Sequence, residues 1–136
     1  MEKLPVAPPE SLIFDNDRVY VCLASYPLTH GHRVVVWKDE TIKDLSLLSC
    51  DQYDYLMNVV DVTRDTLLKV LNLEKIYLLY MDEVKQVHWH LIPRYDEQGI
   101  NILAHIPKLI TDFSLATELK KELAITLLNH PEIVII

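Results

Sequence analysis

Glycine is almost missing from this chain. Only Gly31 and Gly99 occur in 136 residues, so neither a Gly-x-Gly-x-x-Gly dinucleotide loop nor a P-loop can be built. A phosphate held here must be met by side chains and by helix or loop amides outside those motifs. Cysteine is scarce too. Cys22 and Cys50 stand at no metal-ligand spacing, each in an apolar context, and are expected to be buried, inert thiols in a reducing compartment. No apolar run approaches the roughly 20 residues of a membrane span. Residues 1–10 form a proline-rich arm without the continuous apolar core of a signal peptide. The expectation is a cytoplasmic protein that engages no membrane. Basic charge is also in short supply, with 13 Lys and Arg against 20 acids and a formal charge of -7. Such a surface disfavours a nucleic acid polymer, whose binding rests on phosphate neutralisation. A small phosphorylated metabolite can still bind where local donors outweigh the overall field.

What is present suffices for one core: 50% of the residues are hydrophobic, in a chain of single-domain length. Residues 11–14 read as a short first strand and Asp15-Asn16-Asp17 as a polar turn. The β-rich stretches 18–24 and 32–37 flank a loop at 26–31 and suggest an antiparallel pair, with Gly31 in the loop for its backbone freedom. After a surface loop at 38–48, Ser49 and Gln52 make a capping box for a helix reaching about Leu71. Its apolar stripe is Leu56, Val59, Val60, Thr63, Leu67, Val70 and Leu71, near 3.6-residue spacing. A strand at 75–80 and a short connection at 81–85 lead by a hairpin into the next strand. Beyond Arg94 come a polar turn at 95–99 and an apolar stretch, 100–111, without a clear period. Ser114 then caps a last helix with the stripe Leu115, Leu119, Leu123 and Leu127. The tail 131–136 is too apolar to float free and should pack on the sheet or on a partner chain. One α+β domain follows, an antiparallel sheet carrying helices.

The chemistry concentrates in Gln86-Val87-His88-Trp89-His90-Leu91-Ile92-Pro93-Arg94. Polar and apolar residues alternate with period two, so the stretch reads as a strand with unlike faces. Gln86, His88, His90 and Ile92 point one way; Val87, Trp89 and Leu91 point the other. Neighbours on one face lie about 6.6–6.8 Å apart. Pro93 lacks a backbone donor and is expected to close the ladder. An isolated histidine on a strand is usually a satisfied polar residue, but two on one face beside an amide are harder to dismiss. Neutral imidazole is both a nucleophile and a metal ligand. The bare pattern therefore allows covalent phosphoryl chemistry or a His-x-His metal site.

Gln86-Val87-His88-Trp89-His90-Leu91-Ile92 resembles the signature of the histidine triad family, His-φ-His-φ-His-φ-φ with φ apolar. Upstream, Tyr26-Pro27-Leu28-Thr29-His30-Gly31-His32-Arg33-Val34-Val35-Val36 resembles the Pro-x-x-x-Gly-His-x-φ-Val stretch that precedes the triad there. The similarity spans approximately residues 11–112. It implies a five-stranded antiparallel sheet with two main helices and a homodimer. It divides the chain into an arm at 1–10, a catalytic domain at 11–112, and a C-terminal helix and tail at 113–136 packed on the same domain. In that family the middle triad histidine attacks the α-phosphorus of a nucleoside phosphate, and water resolves the nucleotidyl-imidazole. The resemblance makes His88 the nucleophile and His90 a donor to a non-bridging oxygen, with His32 and Gln86 in supporting or substrate contact. No cofactor and no metal are implied.

The departures from the family pattern matter as well. Gln86 stands where the first triad histidine belongs, and an amide cannot titrate. Ala24 occupies a position where relatives often carry a ribose-binding Asp or Asn. Asp82 and Glu83 make the loop before the triad acidic; they are either a solvated turn or a filter against extra phosphates and for amines. The reading is a hydrolase or nucleotidyl transferase acting on nucleoside phosphoramidates or dinucleoside polyphosphates. The alternatives are a nucleotide-binding protein of low activity on the same fold, and a metal-dependent protein using His88, His90 and His32.

Overall fold

The computed structural model describes residues 4–81 and 83–134. Asp82, Ile135 and Ile136, on which sequence expectations fell, lie outside the described residues. Five strands form one antiparallel sheet: β1 (Leu12–Asp15), β2 (Val19–Leu23), β3 (Arg33–Trp37), β4 (Lys75–Leu79) and β5 (His88–Arg94). Their order is β1-β2-β3-β5-β4. The turn between β1 and β2 is made by Asn16, whose Oδ1 accepts the N–H groups of Arg18 and Val19, both at 2.9 Å. This is the local side-chain-to-backbone bonding that favours Asn in turns. The 2–3 and 4–5 pairings agree with the expected hairpins.

Residues opposite each other on antiparallel neighbours share a face. His88 lies opposite Val36 and His90 opposite Val34, while Val34 lies opposite Cys22 on the other side. The histidines therefore share one face with Cys22, Val34 and Val36, as the period-two pattern requires. The opposite face carries Val19, Val21, Leu23, Val35, Trp37, Val87 and Leu91 into the main core.

That core is closed by α1 (Cys50–Leu71). Its capping box is formed: the Ser49 hydroxyl accepts the Gln52 N–H at 3.2 Å and the Gln52 side chain accepts the Ser49 N–H at 2.9 Å. Leu56, Val59, Val60, Thr63 and Leu67 are buried as the stripe predicts. Asn72, in the left-handed conformation (φ 51°), ends the helix. Then α2 (Gly99–Leu103), α3 (Ser114–Leu127) and α4 (Pro131–Val134) follow. Leu119 and Leu123 of α3 are buried in the same core, each worth about 1.5–3 kcal/mol relative to exposure.

Several expectations are corrected. Ser11 belongs to a 3-10 turn (Pro9–Ser11), not to β1. Pro93 does not close the ladder, because it still pairs with Ile76 and Arg94 with Lys75. Pairing with β3 stops at Leu91, and the Pro93 carbonyl on that side accepts the Thr29 hydroxyl at 2.7 Å, so its missing N–H breaks no ladder bond. Gln86 and Val87 precede β5; the Gln86 N–H turns back to the Val84 carbonyl at 2.8 Å. The unperiodic stretch 100–111 starts inside a short helix. Ser114 is the first residue of α3 rather than its cap, and its N–H is met by Asp112 Oδ1 at 2.9 Å. Cys50 is exposed at the start of α1, whereas Cys22 is buried as expected. The tail packs within its own chain: Ile133 is 1% exposed in the main core, and the Tyr55 hydroxyl donates to its carbonyl at 2.7 Å.

The arm lies on the histidine face of the sheet. Leu4 and Ala7 pack against the cluster of Cys22, Val34 and Val36. Their apolar character within a proline-rich stretch was the available sign that the arm has a surface to cover.

Candidate active site

Three imidazoles stand in a row. His88 and His90 project from β5 with ring centroids 5.0 Å apart and planes at 75°. His32, just ahead of β3, stands 5.1 Å from His90 at 63°. Gly31 makes this approach possible. It adopts φ +88°, where a side chain is strained, and a Cβ there would sit 2.8 Å from Leu71 Cδ1, whose side chain would have to shift. All three histidines are brought together as the sequence reading required.

The hydrogen bonds decide where each proton sits. Leu28 N–H donates to His32 Nδ1 at 3.0 Å. That nitrogen is therefore an acceptor, and the neutral ring carries its proton on Nε2. His32 Nε2 faces His90 Nδ1 at 2.9 Å, so His90 Nδ1 accepts and the His90 proton lies on its own Nε2. Both rings are neutral near pH 7. Burial, then the neighbouring His90, pushes the His32 pKa down to about 3; burial, then His88, lowers that of His90 to about 4. His88 is held the opposite way round. Its Nδ1 lies 2.8 Å from the Gln86 carbonyl, which can only accept, so Nδ1 carries a proton and the neutral ring presents a bare Nε2. The row thus offers a lone pair at His88 Nε2 and a donor at His90 Nε2. A nucleophile beside a donor for developing negative charge can perform attack at phosphorus or at a carbonyl.

The Gln86 side chain is occupied elsewhere. Its Nε2 donates to the Trp37 carbonyl at 3.3 Å, and its Oε1 accepts the Leu4 N–H at 3.2 Å. Sequence reasoning placed this residue at the site but missed that its backbone carbonyl is what orients His88. It also missed Leu28, which acts through its N–H and leaves no mark in residue identity. A cavity of about 360 Å³ is bounded by the arm, Tyr20, Lys38 and Gln86, and a second of about 510 Å³ by Ala24, His32, Leu109 and Asp112. Neither is lined by His88, which is only 4% exposed. Ala24 lines the second cavity without a polar side chain. Glu83 is exposed in the loop before β5. Among the described residues, no three His, Cys, Asp or Glu side chains are grouped so as to hold a metal ion.

The sequence model of the HIT domain, named for the histidine triad, matches residues 7–97. A comparison with curated proteins found no match. Among solved structures the fold recurs in the Caenorhabditis elegans NitFhit protein, at 18% identity over 93% of this chain with a TM-score of 0.65; the chain spans 29% of that longer polypeptide. A zinc-bound histidine triad family protein from Mycobacterium smegmatis is 20% identical over 92% of this chain and 89% of its own, with a TM-score of 0.68. The Plasmodium falciparum diadenosine triphosphate hydrolase, in complex with cyclomarin A, is 14% identical over 97% and 84%, with a TM-score of 0.63. Two thirds of the chain match the family model, and the five-stranded sheet matches the family's fold. The chain belongs to the histidine triad family.

Proposed function

We propose that this protein is a nucleotide hydrolase or nucleotidyl transferase that works at the α-phosphate of dinucleoside polyphosphates or nucleoside phosphoramidates, as a homodimer. The observation that carries the reading is the opposed proton placement, with the bare Nε2 of His88 beside the protonated Nε2 of His90. His88 Nε2 forms a bond to the α-phosphorus, and the bond from phosphorus to the leaving group breaks with its electron pair on that group. His90 Nε2–H donates to a non-bridging oxygen as charge grows there. Water, or an acceptor hydroxyl, then attacks phosphorus and releases its proton to solvent, and the P–N bond breaks with its electron pair returning to His88 Nε2. Gln86 cannot supply a proton, so leaving groups stable as anions, such as a nucleotide phosphate, suit this site better than amines do.

His88→Ala is expected to abolish turnover of diadenosine triphosphate, since loss of a covalent nucleophile typically removes orders of magnitude of rate. Rapid acid-free quenching of the native protein should leave nucleotide on His88, detectable by peptide mass. Near-native turnover by His88→Ala overturns the mechanism. Sedimentation of the intact chain tests the dimer.

A second reading is favoured by the burial of His88 and by the amide at position 86. On it, the protein binds nucleotide on the same face with little turnover. Calorimetry with AMP, alongside an absence of hydrolysis over hours, would select it.

A further inference from the structure

The loop that carries His32 is gripped by a residue outside the family match. His105 follows α2, beyond residue 97 where the HIT-domain match ends. Its Nδ1 lies 2.8 Å from the Leu28 carbonyl oxygen and its Nε2 2.7 Å from Glu97 Oε1. A carbonyl can only accept, so Nδ1 carries a proton, and Nε2 carries one whenever it donates to Glu97 Oε1. In keeping with this, the bond to Leu28, followed by that to Glu97, holds the His105 pKa above its usual value. Leu28 is therefore fixed at its carbonyl while its N–H donates to His32 Nδ1. Other bonds fasten the same loop, but at Ser25, Thr29 and His30: Ile110 N–H to the Ser25 carbonyl, the Thr29 hydroxyl to the Pro93 carbonyl, and the Tyr95 hydroxyl to the His30 carbonyl. Among the described residues, the Leu28 carbonyl is held by His105.

We infer that His105 is a positioning residue for the histidine row, acting through Leu28 to set the tautomers of His32 and His90. The physical argument follows the protons. If Leu28 N–H moves off His32 Nδ1, that nitrogen loses its donor and the Nδ1–H tautomer of His32 becomes accessible. His32 Nε2 then accepts, His90 Nδ1 must donate, and His90 Nε2 is left bare. A donor facing the substrate oxygen becomes an acceptor, two rings away from the change.

The effect on turnover rests on the proposed function; the tautomer claim does not. Asparagine places its amide nitrogen where His105 Nδ1 stands, and glutamine where Nε2 stands. His105→Asn therefore keeps the bond to Leu28, and His105→Gln keeps only the bond to Glu97. The experiment reads histidine ¹⁵N shifts in the resting full chain, together with kcat and KM for diadenosine triphosphate. The wild type should show His32 and His90 as Nε2–H tautomers. His105→Ala and His105→Gln should mix the His32 tautomers and lower kcat by about tenfold or more, with KM changed by less than about threefold. His105→Asn should restore both. An unchanged His32 tautomer in His105→Ala, or rescue by Gln as complete as by Asn, overturns the inference. Should the wild type show no hydrolysis, the proposed function falls while the ¹⁵N spectra still decide this claim. Should His88 chemistry hold while the spectra do not respond, only this claim falls.

Discussion

The carbonyl of Gln86 accepts Nδ1–H of His88, and that carbonyl is present whatever side chain position 86 carries. The amide itself is spent on Trp37 and Leu4. Gln86→Ala should accordingly keep kcat on a dinucleoside polyphosphate within about tenfold of wild type, far from the loss expected of His88→Ala. A fall of about 10² or more would mean that the amide reaches the substrate, since that is the scale of a lost transition-state donor. At this scale the sequence was legible where side chains act and silent where backbone acts. His88 and His90 could be named because imidazole is the reactive group, and His32 because its stretch resembles the family's Gly-His element. Leu28 and the Gln86 carbonyl could not. Arg33 was unreadable for another reason: it enters the core face of β3, fully buried, with Nη1 bonded to the Thr63 carbonyl at 3.1 Å and Nε and Nη2 unpartnered among the described residues. Burial lowers its pKa to about 9. Period two puts Arg33 on the face of Val35 and Trp37, but a charge on an apolar core face runs against composition, which would have turned that face outward.

The arm is the element whose place only the fold supplied. Leu4 and Ala7 cover the cluster of Cys22, Val34 and Val36, and burial pushes the Cys22 thiol up to about 12. Thiolate is therefore scarce at Cys22 at neutral pH, while Cys50 is exposed. In the intact chain a maleimide should modify Cys50 promptly and Cys22 only on unfolding. Removing residues 1–7 should accelerate labelling of Cys22 by about tenfold or more, followed by peptide mass. Equal rates in the two proteins would show that β1 and β3, not the arm, shield the thiol. Elements with strong periodicity were readable in advance. The capping box and stripe of α1 fall where the spacing puts them, and in β5 His88 and His90 share the face that alternation gave them. The short α2 and the start of α3 were not, because five residues carry no period and Asp112 meets the first N–H from outside the expected cap position.

For the molecule as a whole, the burial of His32 and the partial burial of His90 make stability depend on pH. The folded values of His32 and His90, about 3 and about 4, lie below the ordinary value near 6.5. Between these limits the unfolded chain binds protons that the folded chain refuses. Stability from this source is complete above about pH 6.5 and is lost as pH falls, by up to about 1.4 kcal/mol per pH unit for each ring. Urea midpoints should decline from pH 6.5 to 5, above the range where carboxylates titrate, and His32→Leu should decline less steeply. An equal slope in the variant would assign the acid sensitivity to other groups.

Residue order alone determined the chemistry available and the local elements. Scarce glycine ruled out phosphate-binding loops, and alternation set the face of His88 and His90. These are short-range properties, fixed by composition and the two-residue period of a strand, whereas the resemblance of the Gly31-His32 stretch to the family element marked a second contributor. Only the tertiary structure decided which nitrogen of each ring holds a proton: Leu28 and Gln86 lie near His32 and His88 in sequence but act through backbone atoms aimed by the fold, and His32 meets His90 from 58 positions away. Contacts of this kind arise from the order of strands in the sheet and from loops folded across it, which no local pattern encodes.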